Sequence, residues 1–114
     1  MFFTRSSIRI GDISDGTSST LAIGERGIPS DLAWGWSICG GLECEQYLSS
    51  QIGLSAAKNQ GSGTGVETHF SSWHPGGTYF VLADGHVKFL NHNIDYNTYR
   101  SLSTRSGKET LGGW

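Results

Sequence analysis

The sequence contains little cysteine, proline or methionine, and it lacks a long apolar run. Its 114 residues include two cysteines, two prolines and one methionine. No apolar stretch approaches the roughly 18 residues that a membrane-spanning helix needs. The opening residues, MFFTRSSIRIG, are too polar after Phe3 to form a signal-peptide core. We therefore expect neither a membrane span nor a targeting segment within this chain.

The sequence also lacks a strong charge imbalance and the motifs of common catalysts. Eight basic and ten acidic residues give a net charge of −2, without a basic block, so nucleic acid is not an expected partner. There is no G-x-S-x-G nucleophile elbow. The stretch GSGTG is not followed by the Gly-Lys-Ser/Thr of a P-loop. These absences disfavour serine hydrolases and P-loop nucleotide-binding proteins.

The two cysteines, Cys39 and Cys44, enclose the sequence GGLE. A single pair is too few for a four-cysteine zinc site, and the spacing differs from the C-x-x-C of redox motifs. Two glycines between the cysteines allow a tight loop that brings the sulfur atoms together. We predict a disulfide, which implies an oxidising, extracytoplasmic compartment; a pair of reduced thiols is the alternative.

Glycine is abundant, with 17 residues and no internal repeat, which is typical of many turns and irregular loops. The length fits a single domain over residues 1–114 with a modest core. Alternation over Thr20–Glu25 predicts a strand with Leu21 and Ile23 on one face. A second strand is predicted to carry Trp34, Trp36 and Ile38 on one face. Residues 46–60 read as an irregular insertion, with at most one short helix.

The stretch HPGGTYFVLADGHVKFL, residues 74–90, predicts a β-hairpin. Asp84 and Gly85 are expected to form a two-residue turn, in which both residues have positive φ. That register pairs Leu82 with Val87 and Phe80 with Phe89. The expected core face comprises Phe80, Leu82, Val87 and Phe89, and the expected opposite face comprises Tyr79, Val81, His86 and Lys88.

His74 and Asp84 are not predicted to act as a catalytic pair. The strand between them covers about 17 Å or more, at about 3.3 Å per residue. Asp84 and the two glycines after Pro75 are explained by turn formation. In this register His74 could approach His92. For His74 we expect a structural role, with its side chain donating to a loop carbonyl group; metal binding with His69 or His92 is the alternative.

The segment after the hairpin predicts a short helix. Asp95 is the expected N-cap with Ile94 before it, and Tyr99 and Leu102 are expected to face the core. Basic residues lie toward the expected C-terminal end, where the helix dipole favours cations, and a glycine follows as a natural stop. These residues are Arg100, Arg105 and Gly107.

Three blocks of the sequence together resemble the bacterial H-x9-DG pseudopilin-like family, whose function is poorly defined. The first is DISDGTSSTLAIGER, in which Ser19 stands where the family usually has Asn. The second is SSWHPGGTYFVLADGHVKFL, where nine residues separate His74 from Asp84-Gly85. The third is IDYNTYRSLSTRSGKE. The matching signature residues are Asp12, Asp15, Gly16, Thr17, Ser18, Thr20, Glu25, His74, Pro75, Gly76, Gly77, Asp84 and Gly85.

The resemblance implies an α+β, pilin-like head domain, mainly a small antiparallel sheet with a short C-terminal helix. It implies a non-enzymatic structural subunit of an extracellular filament or a type II secretion pseudopilus, which self-associates or binds other pilus subunits. The apolar stem typical of such subunits has no counterpart in these residues, so we expect either a head domain or a stemless relative. Turn formation sufficiently explains Asp15-Gly16, Pro75-Gly76-Gly77 and Asp84-Gly85, and nothing in the three blocks requires a reactive side chain or cofactor.

Three alternatives are weighed against this prediction. A calcium site on Asp12, Asp15 and Glu25 is less favoured, because the two aspartates are typical turn caps. A metal-dependent hydrolase would need three of the four histidines to converge. A carbohydrate-binding surface module would need exposed aromatic residues, which are more often core. The histidines are His69, His74, His86 and His92, and the aromatic candidates are Trp34, Trp36, Tyr47, Trp73 and Trp114.

Overall fold

The computed structural model of the chain describes residues 5–28, 48–56 and 69–108, which form a small α+β domain, as predicted. The strands are β1 (Leu21–Gly24), β2 (Ser55–Ala56), β3 (Ser71–Ser72), β4 (Gly77–Leu82) and β5 (Val87–Asn91). One α-helix, α1 (Tyr96–Leu102), follows β5, and short 3-10 helices at Ile10–Asp12 and Thr17–Ser19 precede β1.

The main sheet has three antiparallel strands in the order β1-β4-β5, so the hairpin strand β4 lies at its centre. Strands β2 and β3 form a separate parallel pair, and Ser49 makes a parallel bridge with His69. Residues 48–56 therefore pair with the segment that leads into the hairpin. The predicted irregular insertion is therefore wrong in part: this segment contains β2 and the bridge at Ser49, and its described residues contain no helix.

The hairpin forms where it was predicted, but its turn and register differ from the prediction. The Leu82 N–H donates to the His86 carbonyl at 2.8 Å, and the Gly85 N–H donates to the Leu82 carbonyl at 3.0 Å. Gly85 has a φ of 92°, whereas Asp84 is not among the described residues with positive φ. The loop thus has three residues, with Gly85 alone in the left-handed region.

This loop shifts the pairing by one residue, so that Val81 pairs with Val87 and Tyr79 with Phe89. A one-residue shift turns every side chain of β5 to the other face of the sheet. The expected burial of Phe80 and Leu82 is confirmed, at 2% and 6% exposure. The prediction that Val87 and Phe89 of β5 are buried is wrong, because they are 65% and 40% exposed. Leu90, which is 3% exposed, is the β5 residue that lies in the core. Lys88 and His86 correspondingly do not share a face with Tyr79 and Val81.

Strand β1 contains an irregularity that the sequence pattern did not predict. Leu21 pairs with Leu82, but Ile23 pairs with Val81, so the register shifts by one residue between them. Such a bulge changes which face the following side chain takes. Leu21 is therefore buried and Ile23 is 64% exposed, and the prediction that they share one face is wrong.

The core lies between the inner face of the sheet and α1. Its buried residues are Leu21, Phe80, Leu82, Leu90, Tyr99 and Leu102, and Leu54, Phe70 and Ile94 pack against them. Helix α1 begins as predicted, because Asp95 accepts a hydrogen bond from the Thr98 N–H at 2.8 Å.

The predicted inward-facing helix residues, Tyr99 and Leu102, are fully buried. The helix ends at Leu102, so Arg100 lies in its last turn while Arg105 and Gly107 follow in the next segment. Within the described residues, no helix has both the length and the hydropathy to cross a bilayer.

Candidate functional site

Glu25, directly after β1, connects the first and second signature blocks. Its Oε2 accepts a hydrogen bond from the Tyr79 N–H at 2.7 Å, and its Oε1 lies 3.3 Å from His74 Nε2. Its backbone N–H donates to the Tyr79 carbonyl, and its own carbonyl accepts from the Ser71 N–H. The His74 ring lies edge-on to Tyr79, with ring centroids 5.1 Å apart. Glu25 therefore joins β1, β3 and β4 beside His74.

His74 and Asp84 lie at opposite ends of β4 and have different partners. Asp84 accepts a hydrogen bond from the His86 N–H at 3.0 Å and pairs with the His86 ring at 3.1 Å. The hydrogen bond from the His86 N–H lowers the pKa of Asp84 below its ordinary value of 3.8. The expectation that His74 donates to a loop carbonyl group is wrong, because its ring nitrogen faces the Glu25 carboxylate.

The DGTSST part of the first block supports the hairpin turn. The Asp84 N–H donates to the Thr17 carbonyl at 3.2 Å, and the Ala83 N–H donates to the Thr20 carbonyl at 2.8 Å. Thr20 is fully buried, and its hydroxyl donates to the Gly16 carbonyl at 3.0 Å. Ser18 lies within the 3-10 helix between these contacts. This block therefore holds the turn in place through main-chain hydrogen bonds.

Asp15 connects the first block to the chain after α1. Its Oδ1 accepts from the Lys108 N–H at 2.9 Å, and its Oδ2 accepts from the Gly107 N–H at 2.8 Å and the Thr104 hydroxyl at 2.9 Å. In return, the Ser14 N–H donates to the Arg105 carbonyl at 2.8 Å. We call these contacts the Asp15 junction.

The environment of Asp15 favours its charged form. The hydrogen bond from the Lys108 N–H contributes most, and those from Gly107 and Thr104 add to it, against an opposing effect of desolvation. Together they lower the pKa of Asp15 below its ordinary value of 3.8. The charged carboxylate is thus the form that holds the junction.

The three candidate calcium ligands bind separate parts of the chain. Asp12 accepts a hydrogen bond from the Arg9 N–H at 2.8 Å, whereas Asp15 and Glu25 serve the contacts described above. Across residues 5–28, 48–56 and 69–108, no group of three or more acidic, histidine or cysteine side chains is placed to hold a metal ion. A shared calcium site on these three residues is therefore not assembled in the described structure.

The histidines of the hydrolase alternative also lie apart. His69 is buried, His86 is exposed and binds Asp84, and His92 Nε2 lies 3.3 Å from the Thr78 hydroxyl. His74 binds Glu25, as described above. No three of these side chains form a metal-ligand group in the described part of the chain.

The signature glycines have two physical roles. Gly16, Gly76 and Gly85 have positive φ values of 92°, 81° and 92°. Gly77 instead lies where a side chain would not fit. A Cβ atom there would collide with the Leu90 carbonyl oxygen and lie 2.6 Å from the Phe89 ring. Gly77 therefore permits the close approach of β5. From the sequence, Gly77 was assigned to turn formation, and this role was not predicted.

Two surface features beside these contacts are suited to binding. The first is the outer face, the side of the sheet away from α1, where the Tyr79 and Phe89 rings are in contact, with centroids 4.9 Å apart and planes tilted by 59°. The second is the hairpin groove, a cavity of about 410 Å³ between the loop before β4 and the turn after β5. The outer face comprises Ile23, Tyr79, Val81, Val87 and Phe89. Described residues lining the groove include Trp73, His74, Asn91, His92 and Asn93.

Sequence reasoning identified Trp73 only as one of several aromatic residues and did not identify Asn91 or Asn93. The available signal was the sequence N-H-N, which begins at the last residue of the second hairpin strand. The predicted disulfide of Cys39 and Cys44, and the aromatic residues Trp34, Trp36, Tyr47 and Trp114, lie outside the described residues.

The chain was compared with known protein families, curated proteins and solved structures. Residues 1–97 match a family described as a protein of unknown function, DUF1559. The chain belongs to the DUF1559 family. No curated protein and no solved structure matches this DUF1559 chain. The match includes Glu25, His74 and the hairpin, whereas the partners of Asp15 at residues 104–108 lie beyond the matched DUF1559 region.

Proposed function

We propose that this DUF1559 chain is a non-enzymatic structural subunit, a pilin- or pseudopilin-like head that self-associates through its outer face. The observation that carries the proposal is the exposure of that face. Ile23, Tyr79, Val87 and Phe89 are between 40% and 65% exposed, and they lie on neighbouring strands of one sheet. Contiguous apolar patches on a protein surface are typical of interaction sites.

The environment of the signature acids supports a structural role. Asp12, Asp15, Glu25 and Asp84 each accept a hydrogen bond from a backbone N–H group. Their carboxylates therefore position the polypeptide chain itself. The three sequence blocks that resemble the H-x9-DG family support the same assignment, and with it an extracytoplasmic or cell-surface location.

Self-association can be tested with two substitutions that add the same charge at different apolar positions. Val87→Lys places a cation on the outer face, where Val87 is 65% exposed. Ile10→Lys places one in a 3-10 helix outside the sheet, where Ile10 is 73% exposed. Sedimentation velocity and negative-stain electron microscopy of the full chain should show oligomers or filaments for the wild type and Ile10→Lys, and monomers for Val87→Lys. A wild-type chain that stays monomeric at high concentration would contradict the proposal.

A surface-binding module is the second candidate function, and the exposure of Trp73 favours it. Of the aromatic residues on which this alternative depends, Trp73 is the one within the described residues, and it is 55% exposed. Large aromatic side chains are usually buried, so this exposure is informative.

A further inference from the structure

We infer that the hairpin groove is a binding site for an uncharged carbohydrate, with Trp73 as the stacking surface and Asn91 and Asn93 as hydrogen-bonding groups. This inference rests on the surface-binding candidate above, whose ligand it names, and it does not depend on self-association through the outer face. It rests on the fixed position of an exposed indole, the chemistry of the groove lining and the hydrogen bonds that hold both walls.

Trp73 is exposed and also held in place. Its Nε1–H donates to the Ile28 carbonyl at 2.9 Å, which fixes one edge of the ring while 55% of the residue stays accessible. A fixed aromatic ring loses little conformational freedom when a ligand packs against it. The C–H face of a pyranose ring is apolar and flat enough to pack on such a surface, while its hydroxyl groups point outward.

Both walls of the groove are held by hydrogen bonds within the chain. On the first wall, the His74 N–H donates to the Ser72 hydroxyl at 3.0 Å. On the second wall, the Asn93 N–H donates to the Asn91 Oδ1 at 2.8 Å. The His92 N–H donates to the Gly76 carbonyl at 2.8 Å and connects the two walls. The groove is therefore preformed, as ligand sites usually are.

The lining offers polar groups without formal charge. In the part of the chain that the structure describes, the Asn91 Nδ2 and the Asn93 side-chain amide have no protein partner. Among the described lining residues there is no aspartate, glutamate, lysine or arginine. Amides together with an aromatic ring suit a ligand with many hydroxyl groups and no charge.

The inference can be tested with the full chain and a panel of neutral oligosaccharides: cellohexaose, xylohexaose, mannohexaose and chitohexaose. Polygalacturonate serves as an anionic comparison, and isothermal titration calorimetry gives Kd. We expect at least one neutral oligosaccharide to bind. Trp73→Ala should weaken binding by at least about tenfold, and Asn93→Ala by about fivefold.

Two variants outside the groove serve as matched controls. Tyr96→Ala removes an aromatic side chain that is 44% exposed, and Asn97→Ala removes an exposed amide from α1. Both should leave Kd within about twofold, because neither residue lines the groove. Trp73→Phe keeps an aromatic ring but not the Nε1–H, so it should bind with an intermediate Kd even if Trp73→Ala folds poorly.

Three results would overturn the inference. The first is failure of every neutral oligosaccharide to bind at millimolar concentration. The second is preferential binding of polygalacturonate, and the third is an unchanged Kd in folded Trp73→Ala or Trp73→Phe. In NMR titrations, the side-chain amide resonances of Asn91 and Asn93 should shift with ligand, whereas that of Asn97 should not. The wild-type oligomeric state, measured separately, tests self-association.

Discussion

The Glu25 carboxylate accepts a hydrogen bond at 2.7 Å from the backbone N–H of Tyr79, a residue 54 positions later in the chain. The same carboxylate lies 3.3 Å from His74 Nε2, where the two side chains are 36% and 53% exposed. The hydrogen bond from the Tyr79 N–H connects the central strand β4 to the Glu25 side chain, while the exposed contact between Glu25 and His74 adds little to stability.

Glu25→Ala should lower the free energy of unfolding by about 1–2 kcal/mol, because the Tyr79 N–H loses its acceptor. Glu25→Gln retains an acceptor oxygen and should lose less. His74→Ala removes only the exposed partner, so its effect should stay below about 1 kcal/mol. Urea denaturation measures all three. A larger loss for His74→Ala than for Glu25→Ala would show that the contact between the two side chains matters more than the hydrogen bond from the Tyr79 N–H.

Stability should fall at acid pH because three carboxyl groups have lowered pKa values. The largest cause is a backbone hydrogen bond from Lys108 for Asp15, from His86 for Asp84 and from Thr98 for Asp95. Each group contributes stability that is present above the ordinary value of 3.8 and is lost as pH falls through the lower pKa of the folded state.

In denaturant unfolding, the contribution of these groups to the free energy of unfolding should therefore stay constant from pH 6 down to about pH 3.8. Below that pH it should decline. Asp15→Asn should make this decline shallower, because it removes one of the titrating groups. Asp12→Asn is the control, since its carboxylate lies outside the Asp15 junction. An equal acid dependence in wild type and Asp15→Asn would contradict the assigned role of Asp15.

The hairpin register predicts losses of stability of different size when each of two phenylalanines is replaced by alanine. Phe80 is 2% exposed, so Phe80→Ala should cost about 3–5 kcal/mol. Phe89 is 40% exposed, so Phe89→Ala should cost about 1 kcal/mol. Equal and large losses in thermal or urea unfolding would instead favour the two-residue turn, which buries both rings.

Gly85 should tolerate few side chains, because its φ is 92°. Gly85→Ala should destabilise the protein by about 1–2 kcal/mol, the cost of a Cβ atom in the left-handed region. Gly85→Asn should cost less, since asparagine adopts this conformation more readily. No atom lies within 4 Å of a Cβ built at this position, so crowding does not explain a loss. Comparing the melting temperatures of the two variants checks the prediction.

Tyr99 contains a buried hydroxyl that has no hydrogen-bond partner in the described part of the chain. Burial raises the pKa of Tyr99 well above its ordinary value of 10.0. Tyr99→Phe should therefore stabilise the protein by about 1 kcal/mol, because an unpaired polar group is removed while the packing of the ring is kept. A loss of stability on urea denaturation would show that the hydroxyl has a favourable partner. Tyr96→Phe is the comparison, since the Tyr96 hydroxyl donates to the Gln51 carbonyl.

The sequence pattern was sufficient for features that depend on neighbouring residues. The Asp95 cap, the inward-facing Tyr99 and Leu102, and the position of the hairpin turn at Asp84-Gly85 were all predicted. A cap or a turn forms through hydrogen bonds between residues two to four positions apart. The α+β class, which the family resemblance implied, agrees with these local elements.

The register was not predictable from the same pattern, because Asp-Gly fits both a two-residue turn and a three-residue loop. The choice depends on φ at Asp84, and the contacts that support this loop come from Thr17 and Thr20. The bulge between Leu21 and Ile23 likewise depends on pairing with β4.

The sequence by itself determined where this chain turns, where its helix begins and which side chains of β4 are buried, since these follow from local hydrogen bonding and alternation. Only the tertiary structure decided that β5 turns Phe89 outward, that Glu25 binds His74 and that Asp15 binds the chain after α1. The contacts of Glu25 and Asp15 join residues more than forty positions apart. Because side chains alternate along a strand, a single-residue change of register was enough to convert an expected core face into an exposed one.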